Sequence, residues 1–315
     1  MSRRPSGSSA GPDGLPVTLV RACLREGRGG SPTAVVDEGL SVRAGSPLTD
    51  DERRRVPASA GTSHAVFLSD DRSAADGRAR ERPVVSARFF TKEGELPACG
   101  HGTVAALAFL AARTGREECR VDMRVSGRVV KGFAVRGTSS SVHVTFEAGP
   151  IDLREPTSRE LAFLLPVLGL PAAVSSGACV ATLGRPRLLV PVTDRSALTA
   201  LAPAPDRLAA ACDRLGLLGC FAHSPVSATA RVEARMFAPS IGVPEDIANV
   251  NSSACLAAHL FARHGTTRID VDMGDALGFP STVTTGPRHG SQGSPSPPVD
   301  ITGTARIGQV LHLPR

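Results

Sequence analysis

The alternation of apolar and polar positions marks most of this chain as strand. Val121–Val125, Val129–Val135 and Val142–Phe146 interleave β-branched with polar residues, the period-two pattern of half-buried strands. Val17–Cys23, Thr33–Val36 behind the Gly29-Gly30-Ser31-Pro32 turn, Val66–Leu68, Val84–Phe90, Arg187–Val192 and Glu233–Phe237 predict further strands. Helices are predicted over Asp51–Ala60, capped at Leu48-Thr49-Asp50, over Ser158–Leu165 and over Asp206–Leu215. Two Ala/Leu-rich runs, Val104–Arg113 and Ala254–Arg263, read as long apolar helices stopped at Thr114-Gly115 and His264-Gly265.

Those two runs are a repeat. Cys99-Gly100-His101-Gly102-Thr103 opens the first, and Asn251-Ser252-Ser253 opens the second 150 residues later. The match is ungapped from Glu95 against Glu245 to Gly115 against Gly265; after a three-residue shift, Arg88-Phe89-Phe90-Thr91 answers Arg235-Met236-Phe237-Ala238. A strand, polar loop, apolar helix and glycine stop are thus used twice, which predicts an α+β fold of two pseudo-symmetric halves. Each half is expected to be a curled, mostly antiparallel sheet around a central helix. The expected division is a disordered tail 1–14, a first half 15–120, a second half 121–283, a flexible Gly/Ser/Pro loop 284–299 and a terminal strand 300–315 packing on one half. Free N–H groups and the helix dipole favour negative charge at each helix start, so two facing starts would form an anion-binding cleft. Plain capping of two buried helices is the simpler alternative, but a cap has no need of Cys-Gly-His-Gly.

Composition narrows the function. The 315 residues suffice for two domains, and the core must be built from Leu, Val and Ala, because Trp and Tyr are absent. The net charge of +6 is carried almost wholly by arginine interleaved with acids. Without an aromatic stacking platform this reads as solvated surface, not a nucleic-acid interface. The seven cysteines form no C-x-x-C pair, and Cys99-x-His101 alone offers too few zinc ligands; reduced thiols and no metal are expected. The longest nearly apolar run, Ala98–Ala112, is too short to span a membrane, and Met1–Leu15 lacks the apolar core of a signal peptide, so the expectation is a cytoplasmic protein.

The candidate chemistry lies at the two helix starts. His101, between two glycines, is expected to expose its ring to the cleft and to exchange protons near neutral pH; a helix-terminus hydrogen bonder is the plainer role. Asp246 follows Glu245 just before the second helix and would approach from the other half as an acid/base carboxylate, or else be a solvated loop acid. Gly100, Gly102 and Thr103 on one side, with Asn251 and Ser252 on the other, would supply donors to a substrate carboxylate or enolate oxygen.

The ordered series Gly29-Gly30-Ser31-Pro32-Thr33-Ala34-Val35-Val36, Phe89-Phe90-Thr91, Cys99-Gly100-His101-Gly102-Thr103, Phe237-Ala238-Pro239, Glu245-Asp246 and Gly274…Gly278-Phe279-Pro280-Ser281 resembles the phenazine-biosynthesis isomerase (PhzF-like) family, over roughly residues 17–283. The resemblance implies the diaminopimelate-epimerase fold, an active site between the halves and cofactor-independent isomerisation by proton abstraction and return. His101 then matches the family's cleft histidine and Asp246 its cleft aspartate. The chain departs where the family carries a proton-shuttling glutamate: Ser63 stands there, within Thr62-Ser63-His64, so Ser63 joins the substrate-binding set and His64 is the candidate replacement base. Asn251 replaces the family serine, and Phe279 a late arginine. The resemblance extends to divergent isomerases of modified-proline antibiotic pathways of the lincosamide and pyrrolobenzodiazepine type. The expected function is an isomerase acting on a small carboxylated substrate in antibiotic biosynthesis, with a homodimer left open. Two rivals stand beside it: an amino-acid racemase or epimerase using Cys99, which finds Asn249 instead of a second thiol, and a non-catalytic small-molecule binding protein that kept the cleft.

Overall fold

The computed structural model describes residues 14–39, 47–70, 84–138, 140–288 and 297–314. The expected tail (apart from Gly14) and the charged segment after Asp70 lie outside the described residues. The first unit contains β1 (Leu15–Ala22), β2 (Ser31–Asp37), β3 (His64–Asp70), β4 (Val84–Thr91), β5 (Gly94–Leu96), β6 (Glu118–Val125), β7 (Arg128–Arg136) and β8 (Ser141–Glu147). The second contains β9 (Asp152–Arg154), β10 (Cys179–Leu183), β11 (Arg185–Pro191), β12 (Cys220–His223), β13 (Arg231–Ala238), β14 (Val243–Asp246), β15 (Ile269–Met273) and β16 (Ser281–Pro287), and β17 (Val299–Leu313) closes the chain. Among the described residues the complete α-helices are α1 (Asp50–Ser59), α2 (Gly100–Thr114), α3 (Ser158–Leu168), α4 (Arg195–Ala200), α5 (Pro205–Leu215) and α6 (Val250–His264).

The repeat seen in the sequence is a repeat of strand pairing. In the first unit β1 and β2 are antiparallel, β2 and β3 parallel, β3 and β4 antiparallel, and β4 is flanked by antiparallel β5 and parallel β6. The second unit reproduces this with β10 and β11 antiparallel, β11 and β12 parallel, β12 and β13 antiparallel, and β13 flanked by antiparallel β14 and parallel β15. Even the ion pairs repeat: Arg88 grips Glu95 at 2.9 and 2.5 Å, and Arg235 grips Glu245 at 2.9 and 2.7 Å. In both units the guanidinium also lies over a Phe ring two residues on, Phe90 or Phe237.

Each sheet curls around its own apolar helix. Every residue of α2 from Gly100 to Ala108 is buried, with Leu110 and Ala111, as befits a helix without a polar face; α6 occupies the same place against β10, β11 and β16. Gly115 and Gly265 end the two helices in the left-handed conformation, both at φ 69°. Thr49 and Thr157 start α1 and α3 with full capping boxes.

Three expected boundaries need correction. The division at 120/121 falls inside β6, which pairs with β4 and β7, and β7 pairs with β8. The first unit therefore continues to Glu147; alternation identifies a strand but not its partner. The expected flexible loop 284–299 begins within a strand, since Ser281–Pro287 pairs with both β15 and β17. There the β-branched run Thr282–Thr285 outweighs the Gly/Ser/Pro composition of the neighbouring residues. The last strand packs on both units, joining β8 and β1 of the first and β16 of the second. Through it the ring β1-β2-β3-β4-β6-β7-β8-β17 closes.

Candidate active site

The starts of α2 and α6 meet at the seam between the units. A Cβ on Gly100 would lie 2.4 Å from Val250 Cβ and 2.9 Å from Asn251 Oδ1. A Cβ on Gly102 would lie 2.8 Å from the Phe89 ring. These glycines therefore serve close approach of backbones, not exposure of the histidine between them. His101 is buried, at 2 % exposure, contrary to the expectation of an open ring. His64 is equally buried at 2 %, and Asp246 is at 4 %.

The local hydrogen bonds fix each ring. His101 Nδ1 lies 3.0 Å from the carbonyl oxygen of Ala248, in the other unit. A carbonyl only accepts, so Nδ1 carries a proton, and Nε2 lies 3.5 Å from Cys99 Sγ. His64 opens β3 and meets His101 edge to face, with ring centroids 4.4 Å apart. Its Nδ1 sits 2.8 Å from Ser63 Oγ, which can accept a hydrogen bond from Nδ1–H and so leave Nε2 its lone pair. Asp246 ends β14; it accepts from the Ala248 N–H at 3.3 Å and the Asn249 Nδ2 at 2.9 Å. Asn249 caps α6 through its other side-chain atom, Oδ1, which accepts from the Ser252 N–H at 2.9 Å.

Environment separates the two imidazoles. Burial lowers the His64 pKa far below the ordinary value, and the neighbouring positive charge of His101 lowers it further, against the pull of Asp246. Burial also acts on His101, but charge interactions with Cys99 and Asp246 and hydrogen bonds to Cys99 and Ala248 outweigh it and hold this group up at about 9. Asp246 resists burial in the same way: His101 and His64, with the Asn249 and Ala248 donors, keep its carboxyl below the usual range. At neutral pH the cluster is a neutral His64, an imidazolium at His101 and a carboxylate at Asp246.

The three side chains line one small cavity of about 40 Å³, with Cys99, Gly100 and Asn251. It adjoins a cleft of about 890 Å³ and shares with it Pro97, Ala98, Cys99, Leu183, Gly184 and Asn251. Other expected binding residues fall elsewhere. Thr103 lines the larger cleft, its hydroxyl donating to the Cys99 carbonyl at 2.9 Å. Gly102 packs on Phe89. Ser252 turns its hydroxyl to Met236 Sδ at 3.7 Å, and Ser63 is exposed, reaching the site only through His64. Asn249, Arg185 and Arg187 line the cavity without having been anticipated. For Arg187 the signal was present in the sequence: a charged residue opening the apolar run Leu188–Val190 at an inward position of β11. Cys23 also lies near; burial first, then Asp246 and Cys99, drive its pKa far up, so it is a neutral thiol.

A metal donor set exists where the sequence offered too few ligands. The ligating atoms of His64, Cys99 and His101 all lie within 4.8 Å of one another, a His₂Cys arrangement suited to a soft divalent ion. All seven cysteines are free and buried. Among the described residues no helix is long and apolar enough to cross a membrane.

Comparison with known proteins agrees with this geometry. A family model described as Phenazine biosynthesis-like protein matches residues 25–309. The trans-2,3-dihydro-3-hydroxyanthranilate isomerase of Pseudomonas aeruginosa is 30% identical over 241 residues, covering 75% of this chain and 79% of that one. An uncharacterized isomerase of Deinococcus radiodurans is 28% identical over 264 residues, 78% of this chain and 79% of its own. Among solved structures, a PhzF-family phenazine biosynthesis protein of Bacillus anthracis superposes with TM-score 0.77 at 17% identity, covering 96% of this chain and 99% of its own. A hydroxyproline epimerase of Agrobacterium vitis superposes with TM-score 0.57 at 13% identity, covering 95% and 91%. Fold and site thus define an isomerase of the two-unit, diaminopimelate-epimerase-like α+β class. Within that class the chain belongs to the phenazine-biosynthesis PhzF family.

Proposed function

We propose that this protein moves a proton, and with it a double bond, within a small carboxylated substrate, without metal or nucleotide, in the biosynthesis of a secondary metabolite. The observation that carries the reading is the convergence of His101, His64 and Asp246, from both units, on one cavity. His64 Nε2 takes the proton from a substrate C–H; the electron pair moves along the unsaturated system, and the His101 imidazolium returns a proton at the far carbon. The two steps help each other. The charge on His101 is one cause of the low basicity of His64, so as His101 gives up its proton His64 becomes the better base. Asp246 keeps the proton on His101 until then, and the helix starts around Gly100 and Asn251 favour the negative charge that develops.

Incubation with unsaturated carboxylic acids in heavy water, followed by mass spectrometry, tests the reading: one deuterium should enter the substrate. His101→Asn should lower that uptake by roughly 100-fold or more, as for a general acid. No uptake from any acid of the panel would overturn the double-bond isomerase reading.

A second reading, a racemase working through a thiol, is favoured by Cys99 lining the cavity. It lacks a second base of the same kind. The position related to Cys99 by the repeat is Asn249, and among the described residues Cys99 alone of the cysteines lines the cavity.

A further inference from the structure

Arg187 is an unusual residue to find in the interior of β11. It is 1 % exposed, and it lines the cavity that holds His64, His101 and Asp246. Three of its five N–H donors are matched within its own unit. Nη2 donates to the carbonyls of Leu183 at 2.7 Å and Arg185 at 2.5 Å, and Nη1 to Cys255 Sγ at 3.4 Å. Nε has no partner. Among the described residues no carboxylate lies within 4.0 Å of the guanidinium, whereas the buried Arg53 is paired with Glu38 at 2.7 Å. Cys255 does not neutralise it, since burial raises that thiol and keeps it protonated. Arg185, two residues earlier on the same strand, lines the same cavity and among the described residues donates only to the Leu217 carbonyl, at 3.5 Å. Against these two guanidiniums the lining holds a single acid, Asp246, which is engaged by Ala248, Asn249 and the histidines.

A fully buried cation without a counter-ion is costly, and with both Nη2 hydrogens engaged, the free Nε–H can donate one charge-assisted hydrogen bond to a carboxylate. We infer that Arg187, assisted by Arg185, forms the subsite that binds the carboxylate of the substrate. The inference rests on the isomerase reading only for what the bound acid then undergoes. The proton relay enters from the α2 side of the cavity and the carboxylate is held from the β10–β11 hairpin, so the reacting carbons are stretched between them. Orientation of this kind determines which face of the substrate the histidines see.

The test is binding, with benzoate as probe and benzamide as its uncharged counterpart. Wild-type protein should bind benzoate in preference to benzamide. Arg187→Met should weaken benzoate by roughly 10- to 100-fold, the scale of a lost charge-assisted pair, and leave benzamide unchanged; Arg187→Lys should fall between. A purely structural Arg187 would not move that selectivity. Should Arg187→Met fail to fold, the wild type still decides: among arginine Nε–H resonances in ¹⁵N NMR, one slowly exchanging signal should shift with benzoate and not with benzamide. Equal affinity for the two probes, or unchanged benzoate binding by Arg187→Met, overturns the inference, while deuterium uptake by wild-type protein would leave the isomerase reading intact. Arg187-dependent benzoate binding without deuterium uptake from any acid would do the reverse.

Discussion

At the scale of single residues, the two imidazoles give the protein a two-sided pH dependence. The His101 pKa is held at about 9, above the unfolded value near 6.5. Its contribution to stability is therefore fully present below pH 6.5 and is lost as pH rises through 9. His64 is shifted the other way, as is His223, which burial takes down to about 4. Unfolding lets these two groups bind protons, so stability falls as pH drops below 6.5. Chemical unfolding across pH should give a maximum near 6.5. His101→Asn should flatten the alkaline side and His64→Asn the acid side. Turnover should share the alkaline limb, because His101 must be protonated to donate; a rate that stays constant up to pH 10 would remove it from the acid's role. Cys99→Ser should keep turnover, since the hydroxyl can still meet His101 Nε2, whereas complete loss with intact folding would favour thiol chemistry. The same donor set makes zinc an expected inhibitor: micromolar Zn²⁺ engaging His64, Cys99 and His101 would occupy both proton carriers, and chelation should restore the rate.

At the scale of elements, the junction of α2 and α6 controls whether those residues meet at all. Alanine at position 100 would put its Cβ 2.4 Å from Val250 Cβ. Both are backbone-anchored atoms, so the two helix starts must move apart, at a cost of about 1–3 kcal/mol for overpacking. We expect Gly100→Ala to lower both stability and turnover. Val250→Ala should not rescue it, because the clashing Cβ remains, but Val250→Gly should. Leu107, at the centre of α2 and 1 % exposed, should cost ~2–5 kcal/mol on change to alanine with little effect on the rate per folded molecule. This is also the scale at which the sequence was most legible. Periodicity located the long strands and both central helices, and the repeat located the seam, because each rests on local pattern. Short strands such as β5, β9 and β14 carry too few residues for a period to appear. The partners of β6 and β17 depend on long-range closure, which alternation does not record. The burial of His101 was missed for a related reason: flanking glycines look like freedom along one chain, and become contact only when Val250 arrives from 150 residues away.

At the scale of the whole molecule, the site belongs to neither unit. His101 bonds to Ala248, His64 and His101 come from the first unit, and Asp246, Asn249, Asn251 and Arg187 come from the second. The space between them is narrow, about 40 Å³, and shares its lining with the larger cleft. A ring-sized acid that reaches both Arg187 and the histidines is expected to enter from that cleft by parting the units at the seam, and closure would then expel water from around the histidines. A lock across the seam tests this. A Cβ on Gly184 would lie 3.8 Å from Ala98 Cβ, which matches the mean Cβ separation of a disulfide, about 3.8 Å. Ala98→Cys with Gly184→Cys, built on Cys99→Ser to avoid mispairing, should form a bridge on oxidation. Gly184 has φ +77°, so a side chain there carries some backbone strain and the bridge should reduce readily. The oxidised protein should lose benzoate binding and deuterium uptake together, and a reductant should restore both. Unchanged uptake in the fully oxidised form, checked by mass, would mean that the substrate reaches His64 and His101 without the two units parting.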